Sequence, residues 1–183
     1  MQENNNAQEM AFVALGSNLG DSKEILRRAL DRLQMLSTQP LLRSSLWRTT
    51  PVDCPPGSPP FVNAVAGLRP RAEETPQSLL CQLQVLEAEF GRRRGHVPNE
   101  PRLLDLDLIA FGARTVNLPG LVLPHPRAHL RHFVLQPLAE IAPEFVLPGQ
   151  AKCPKELAGG LSNTETTLKL EWFEARSHSG SHS

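Results

Sequence analysis

Lysine and arginine total 19, aspartate and glutamate total 19, and the 183-residue chain therefore has no formal net charge. A balanced chain offers no global attraction to nucleic acid or to an anionic membrane, so any phosphate chemistry must rest on local charge. Cysteine is scarce: Cys54, Cys81 and Cys153 are odd in number and widely scattered, which fits reduced thiols better than a disulfide frame or a zinc site. No apolar run approaches the length of a membrane span, and the opening MQENNNAQEM lacks the basic and apolar regions of a signal peptide. A soluble, uncleaved cytoplasmic monomer is expected. Hydrophobic side chains make up 40% of the chain, enough for one ordinary domain with a real core but not for a second catalytic domain.

Within this even composition, residues 102–112 (RLLDLDLIAFG) place two carboxylates in an otherwise apolar strand. Successive side chains on a strand point to opposite faces, so Asp105 and Asp107 share one face, roughly 6–7 Å apart, and Leu104, Leu106 and Leu108 share the other. Two desolvated aspartates repel each other and lose hydration, so such a pair needs a metal, an arginine or water beside it. Oxygen ligands with arginines upstream suit magnesium and a phosphate substrate better than zinc. The plainer alternative is an edge strand with its polar face in water.

The rest of the chain reads as alternating short strands and helices. Residues 11–15 (AFVAL) form a strand ending in the turn Gly16-Ser17-Asn18. Asp21 can cap a helix, with Glu24 as the return half of a capping box, along which Ile25, Leu26, Ala29, Leu30, Leu33 and Leu36 recur at helical spacing. Residues 41–47 read as a second strand, residues 48–60 as a stiff proline-rich loop, and residues 61–68 as a third strand. Thr75-Pro76 starts a second helix with Leu79, Leu80, Leu83, Leu86 and Phe90 on one face, and Gly91 ends it. An arginine-rich loop, residues 92–101, leads into the aspartate strand. The order β-α-β-β-α-β predicts a ferredoxin-like α/β (α+β) core with both helices on one face of an antiparallel sheet. Residues 115–117 and 121–123 add short strands. Two helical pieces within residues 127–141, the second limited by Pro137, would cover part of the open face. The domain is placed at residues 11–149, with residues 1–10 disordered. Residues 150–183 form an extension of no assigned role with a disordered end, where His178 and His182 are tail composition.

Four segments in this order, VALGSNLGD, WRTTPV with PFVNAV, GRRRGHVPNEPRLLDLDLIAFG, and LPHPRAHLRHFVLQPLAEIAPEFVLPG, resemble the 6-hydroxymethyl-7,8-dihydropterin pyrophosphokinases of folate biosynthesis. The resemblance runs from Phe12 to about Pro148. It implies a transferase that moves the terminal pyrophosphate of ATP to the pterin hydroxymethyl oxygen and releases AMP, with two magnesium ions, in a three-layer α/β/α domain.

Residue by residue, the resemblance makes Asp105 and Asp107 the metal ligands. Two cations about 3.5–4 Å apart can clamp the attacking and leaving oxygens of an in-line displacement, with no covalent nucleophile. Arg92 and Arg102 match arginines on the ATP phosphates, where a guanidinium fork suits phosphate oxygens; for Arg102 an ion pair with the aspartates is the alternative. Arg93 and Arg94 add field or are solvated loop charges. His125 and Arg131 match positions near the triphosphate. His125, held between prolines, suits positioning more than proton transfer. His129 and His132 are read as surface or helix residues. Gln84 and Glu87 match a nucleotide-binding pair but could equally be a solvated helix face. For the pterin, Phe61 and Phe133 match the aromatic pair that sandwiches the ring, and Asn63 the carboxamide at its edge. Thr49, Pro51 and Val52 match the loop lining it. Phe133 could also be plain core packing.

Two departures stand out. Asn99 and Glu100 precede Pro101 where the family commonly has an aromatic lid residue and a glycine, and Pro126 follows His125 where many members carry tyrosine, a residue this chain lacks entirely. The rival readings are a metal-dependent nucleotidyl- or glycosyltransferase built on Asp-x-Asp and a non-catalytic ferredoxin-like small-molecule sensor.

Overall fold

The central strand is β1 (Ala11–Ser17), every residue of which is buried. It pairs antiparallel with β4 (Phe61–Leu68) on one side and β5 (Asp105–Phe111) on the other. The structure is a computed structural model that describes residues 9–50, 57–91, 101–162 and 167–172. Beyond β4 the sheet continues with β3 (Leu46–Thr49) and then β8 (Thr167–Leu170), giving the order β5-β1-β4-β3-β8, while β2 (Leu42–Arg43) also pairs with β4. The first four of these strands carry the ferredoxin-like order expected from the sequence.

Two helices cover one face. α1 (Ser22–Gln34) starts where the Asp21 side chain accepts from the Glu24 N–H, and buries Leu26, Ala29, Leu30 and Leu33. α2 (Pro76–Glu89) starts at Thr75, which exchanges hydrogen bonds with Ser78, and buries Leu79, Leu83 and Leu86. Both pack onto Val13, Leu15, Ala64, Ala66, Leu104, Leu106 and Leu108, which the strand alternation sends to that side. Each fully buried leucine contributes about 1.5–3 kcal/mol, so this layer is the main source of stability. Gly91 follows α2 at φ +87, the left-handed conformation that ends helices.

The opposite face receives α3 (His132–Ile141), which carries Pro137 within it, and α4 (Pro154–Gly160). Val134, Leu135, Leu138 and Ala158 meet Phe12, Ala14, Val65 and Ile109 in a second core. The domain thus has three layers. A separate hairpin, β6 (Val116–Leu118) with β7 (Leu121–Leu123), precedes α3.

Two features differ from the sequence reading. The strand expected at residues 41–47 is split into β2 and β3, because the Ser44 hydroxyl accepts from the Val65 N–H at 2.9 Å and interrupts the regular ladder. Residues beyond 150, read from the sequence as an extension of no assigned role, include α4 and β8, which pack onto the domain. Trp172 Nε1 donates to the Ser44 carbonyl at 2.9 Å, and Lys169 pairs with Glu140 of α3 at 2.9 Å. Among the described residues no helix is long and apolar enough to cross a membrane.

Candidate active site

One rung of the sheet runs Trp47–Asn63–Gly16–Asp105 across β3, β4, β1 and β5. These side chains rise from the face opposite α1 and α2. Gly16 has no side chain, and a methyl group there would lie 3.1 Å from Asn63 Oδ1 and 3.9 Å from both the Phe61 ring and Asp105 Cβ. A carboxamide, an aromatic ring and a carboxylate therefore converge over a bare glycine floor. Asn63 is buried, and its Nδ2 donates to Thr49 Oγ1 at 2.9 Å, which fixes the carboxamide plane. That satisfies one polar group of a residue whose burial would otherwise be costly.

The next rung pairs Ala14 with Asp107. Burial pushes the Asp107 carboxyl above its ordinary range, and the neighbouring Asp105 charge adds to the shift. His125, Arg131 and Arg102 oppose it without overcoming it. Each aspartate has an arginine of its own. Arg102 Nη1 donates to Asp105 Oδ1 at 3.1 Å, and Arg131 Nη1 stands 3.8 Å from Asp107 Oδ2. The ion pair that is the alternative reading for Arg102 is therefore present. Its Nε is nevertheless buried without a hydrogen-bond partner among the described residues. A buried guanidinium donor lacking an acceptor is costly, and a phosphate oxygen would meet that need.

Across the sheet, the Arg131 guanidinium lies 5.2 Å from the centroid of the Phe133 ring, and Phe133 is half-buried at the edge of the second core. His125 follows the cis Leu123–Pro124 peptide. Its Nδ1 accepts from the Arg127 N–H at 3.2 Å, and burial pushes the imidazole below its ordinary pKa, against the pull of Asp107. Asp105 and Asp107 supply oxygen donors only, side by side and partly desolvated. This donor set fits a hard divalent cation.

A model of the 7,8-dihydro-6-hydroxymethylpterin-pyrophosphokinase (HPPK) family matches residues 12–143, a span that contains every one of these side chains. The chain belongs to that family. The 2-amino-4-hydroxy-6-hydroxymethyldihydropteridine pyrophosphokinase of Pseudomonas aeruginosa is 40% identical over 151 residues, covering 82% of this chain and 91% of the relative. The enzyme of the same name from Haemophilus influenzae is 41% identical over 139 residues, 75% of this chain and 84% of the relative. Among solved structures, wild-type HPPK-DHPS of Plasmodium falciparum superposes with a TM-score of 0.63 at 13% identity. It covers 82% of this chain, which in turn spans 44% of that longer chain. That likeness carries the fold.

The HPPK resemblance had drawn further residues into the site. Gln84 is exposed on α2. Glu87 is not on a solvated face: it is 7% exposed, and its Oε1 accepts from the Leu106 N–H at 2.7 Å, between the two aspartates. Among the described residues β5 is an edge strand, so this carboxylate occupies an N–H that no neighbouring described strand takes. His132, read as a surface or helix residue, is the first residue of α3 and is buried. His129 lies in a single 3-10 turn, Ala128–Leu130. Arg92, Pro51 and Val52 lie outside the described residues, as do Arg93, Arg94, Asn99 and Glu100.

Proposed function

We propose that this pyrophosphokinase works on the sheet face around Gly16, with the pterin on the Asn63 side and the ATP triphosphate on the Asp105 and Asp107 side. The observation that carries this reading is the rung Asn63–Gly16–Asp105, which puts a carboxamide and a carboxylate on either side of one glycine. A flat pterin lies against Phe61 and Phe133, with its polar edge on Asn63 and the Thr49, Pro51 and Val52 segment beside it. Its hydroxymethyl group then faces the aspartates.

Arg102, Arg131 and His125, with Arg92, hold the triphosphate. Asp105 and Asp107 would hold two magnesium ions, which would supply charge neutralisation at the phosphate oxygens. The hydroxymethyl oxygen attacks the β-phosphorus and gives up its proton to water, the bond from that phosphorus to the α-bridging oxygen breaks, and AMP leaves with that oxygen. The protein's share is orientation and electrostatic complementarity, because in-line phosphoryl chemistry needs no covalent intermediate. Arg102 contributes through the buried Nε described above, and Arg131 through a guanidinium already beside Asp107.

Chromatography of the products tests the reading. AMP should form in equal amount to pterin diphosphate, and only when a hydroxymethyl dihydropterin is present. Stoichiometric ADP would instead mean attack at the γ-phosphorus and would remove the assignment.

A further inference from the structure

Asn18 lies just beyond β1, in the turn after Gly16 and Ser17, and is 4% exposed. Its backbone N–H donates to the Arg102 carbonyl at 3.2 Å, and its side-chain Oδ1 accepts from the Arg102 N–H at 2.8 Å. The last backbone rung between β1 and β5 joins Gly16 to Asp105. Asn18 and Arg102 are one residue out of step with that ladder, and the carboxamide oxygen supplies the acceptor. Both polar groups of the Arg102 peptide backbone are thus satisfied by one residue. Asn18 Nδ2 also reaches toward the Pro59 carbonyl, at a long 3.5 Å.

We propose that Asn18 is a positioning residue for nucleotide binding. It fixes the Arg102 backbone so that Nη1 reaches Asp105 and the buried Nε is presented to a phosphate oxygen. The geometry supports this directly. Arg102 is held at its backbone by Asn18 and at its guanidinium by Asp105, the latter at 3.1 Å. A long side chain with a free stem would lose rotamer freedom on meeting a phosphate; one held at both ends has already lost it. The proposal rests on the reading of Arg102 as a phosphate contact.

A double-mutant cycle separates this role from simple structural support. Binding of α,β-methylene-ATP with magnesium is measured by calorimetry for the wild type, Asn18→Ala, Arg102→Ala and the double variant, with thermal unfolding alongside. Asn18→Ala should weaken binding about tenfold in the wild-type background, the scale of one lost hydrogen bond to a buried donor. In the Arg102→Ala background it should change affinity less than twofold. Equal losses in both backgrounds, or no loss in the first, would overturn the proposal, since Asn18 would then not act through the Arg102 side chain. Unchanged affinity in Arg102→Ala alone would remove the phosphate role of Arg102 and the proposal with it. Should Asn18→Ala not fold, the cycle is run with Asn18→Ser, whose hydroxyl is too short to reach the Arg102 N–H. Asn18→Asp, which keeps the acceptor oxygen, should restore most of the affinity.

Discussion

The backbone N–H of His125 donates to the carbonyl of Ile109 at 2.8 Å, two residues beyond Asp107. Ile109 is the residue by which β5 outruns β1: Leu108 pairs with Val13 and Ala110 with Phe12, leaving Ile109 without a partner on the ladder. Such a bulge frees a carbonyl and bends the strand. Here the freed carbonyl anchors the segment carrying His125 and brings the imidazole within electrostatic reach of Asp107. The bulge also sends both Ile109 and Ala110 to the α3 side, where the second core begins.

Because that anchor is a backbone bond, removing the imidazole should leave it intact. His125→Ala should keep the wild-type melting temperature within about 2 °C and weaken nucleotide binding about ten- to a hundredfold, the scale of a hydrogen bond to a charged group. Parallel unfolding and calorimetry check both halves. A stability loss without an affinity loss would make His125 a structural residue.

Much of this arrangement can be read in the sequence, for identifiable reasons. Strict alternation placed Asp105 and Asp107 on one face and Leu104, Leu106 and Leu108 on the other, because a half-buried strand must separate polar from apolar side chains. Asp21 and Thr75 announced their helices through local capping chemistry. The bulge was not legible, since the run Leu108-Ile109-Ala110-Phe111 is apolar in either register. For Glu87 the sequence leaves nucleotide contact and solvated face open, because a helical glutamate carries no mark of the strand edge that folds beside it. Asn18 looked like an ordinary turn residue. Its tie to Arg102 spans 84 positions and has no local signature.

Gly16 supplies a prediction in which stability and affinity move apart. In Gly16→Ala the new methyl would press on Asn63 Oδ1 at 3.1 Å, so the carboxamide must give by a few tenths of an ångström. Alanine restricts the unfolded chain and can add about 0.4–1 kcal/mol where the backbone tolerates it. Melting temperature should hold or rise slightly while pterin affinity, measured with α,β-methylene-ATP present, falls about tenfold. Unchanged pterin affinity would mean that Asn63 does not grip the ring.

Glu87 should behave as a pin for the aspartate strand. Glu87→Ala leaves the Leu106 N–H buried without this acceptor, a loss of about 1–3 kcal/mol, or roughly 2–10 °C in a chain of this size. Glu87→Gln keeps an acceptor oxygen and should lose less than half as much. If the alanine and glutamine variants melt together, the 2.7 Å bond is not what holds β5.

Asp107 offers the sharpest contrast, because its two roles predict opposite signs. Its carboxyl is raised in the folded state, chiefly by burial and then by Asp105, while Arg131 approaches only to 3.8 Å and Arg102 pairs with Asp105 instead. A raised carboxyl binds its proton more tightly folded than unfolded, so the ionised form destabilises the fold at every pH above its folded pKa. That penalty disappears as pH falls through the folded value toward the ordinary carboxylate range. In metal-free protein, Asp107→Asn should therefore melt higher than the wild type at pH 7, and the gap should close on acidification. Magnesium with α,β-methylene-ATP should reverse the order, since ligand that binds only the folded wild type adds stability by mass action. Turnover in the variant should fall roughly a thousandfold, because the charge proposed to hold the cation is gone. Calorimetric melting with a chelator, then with magnesium and the analogue, reads both signs. If Asp107→Asn is less stable than wild type at pH 7 without metal, the carboxylate is a net stabiliser through its arginine and is not an anion waiting for a cation.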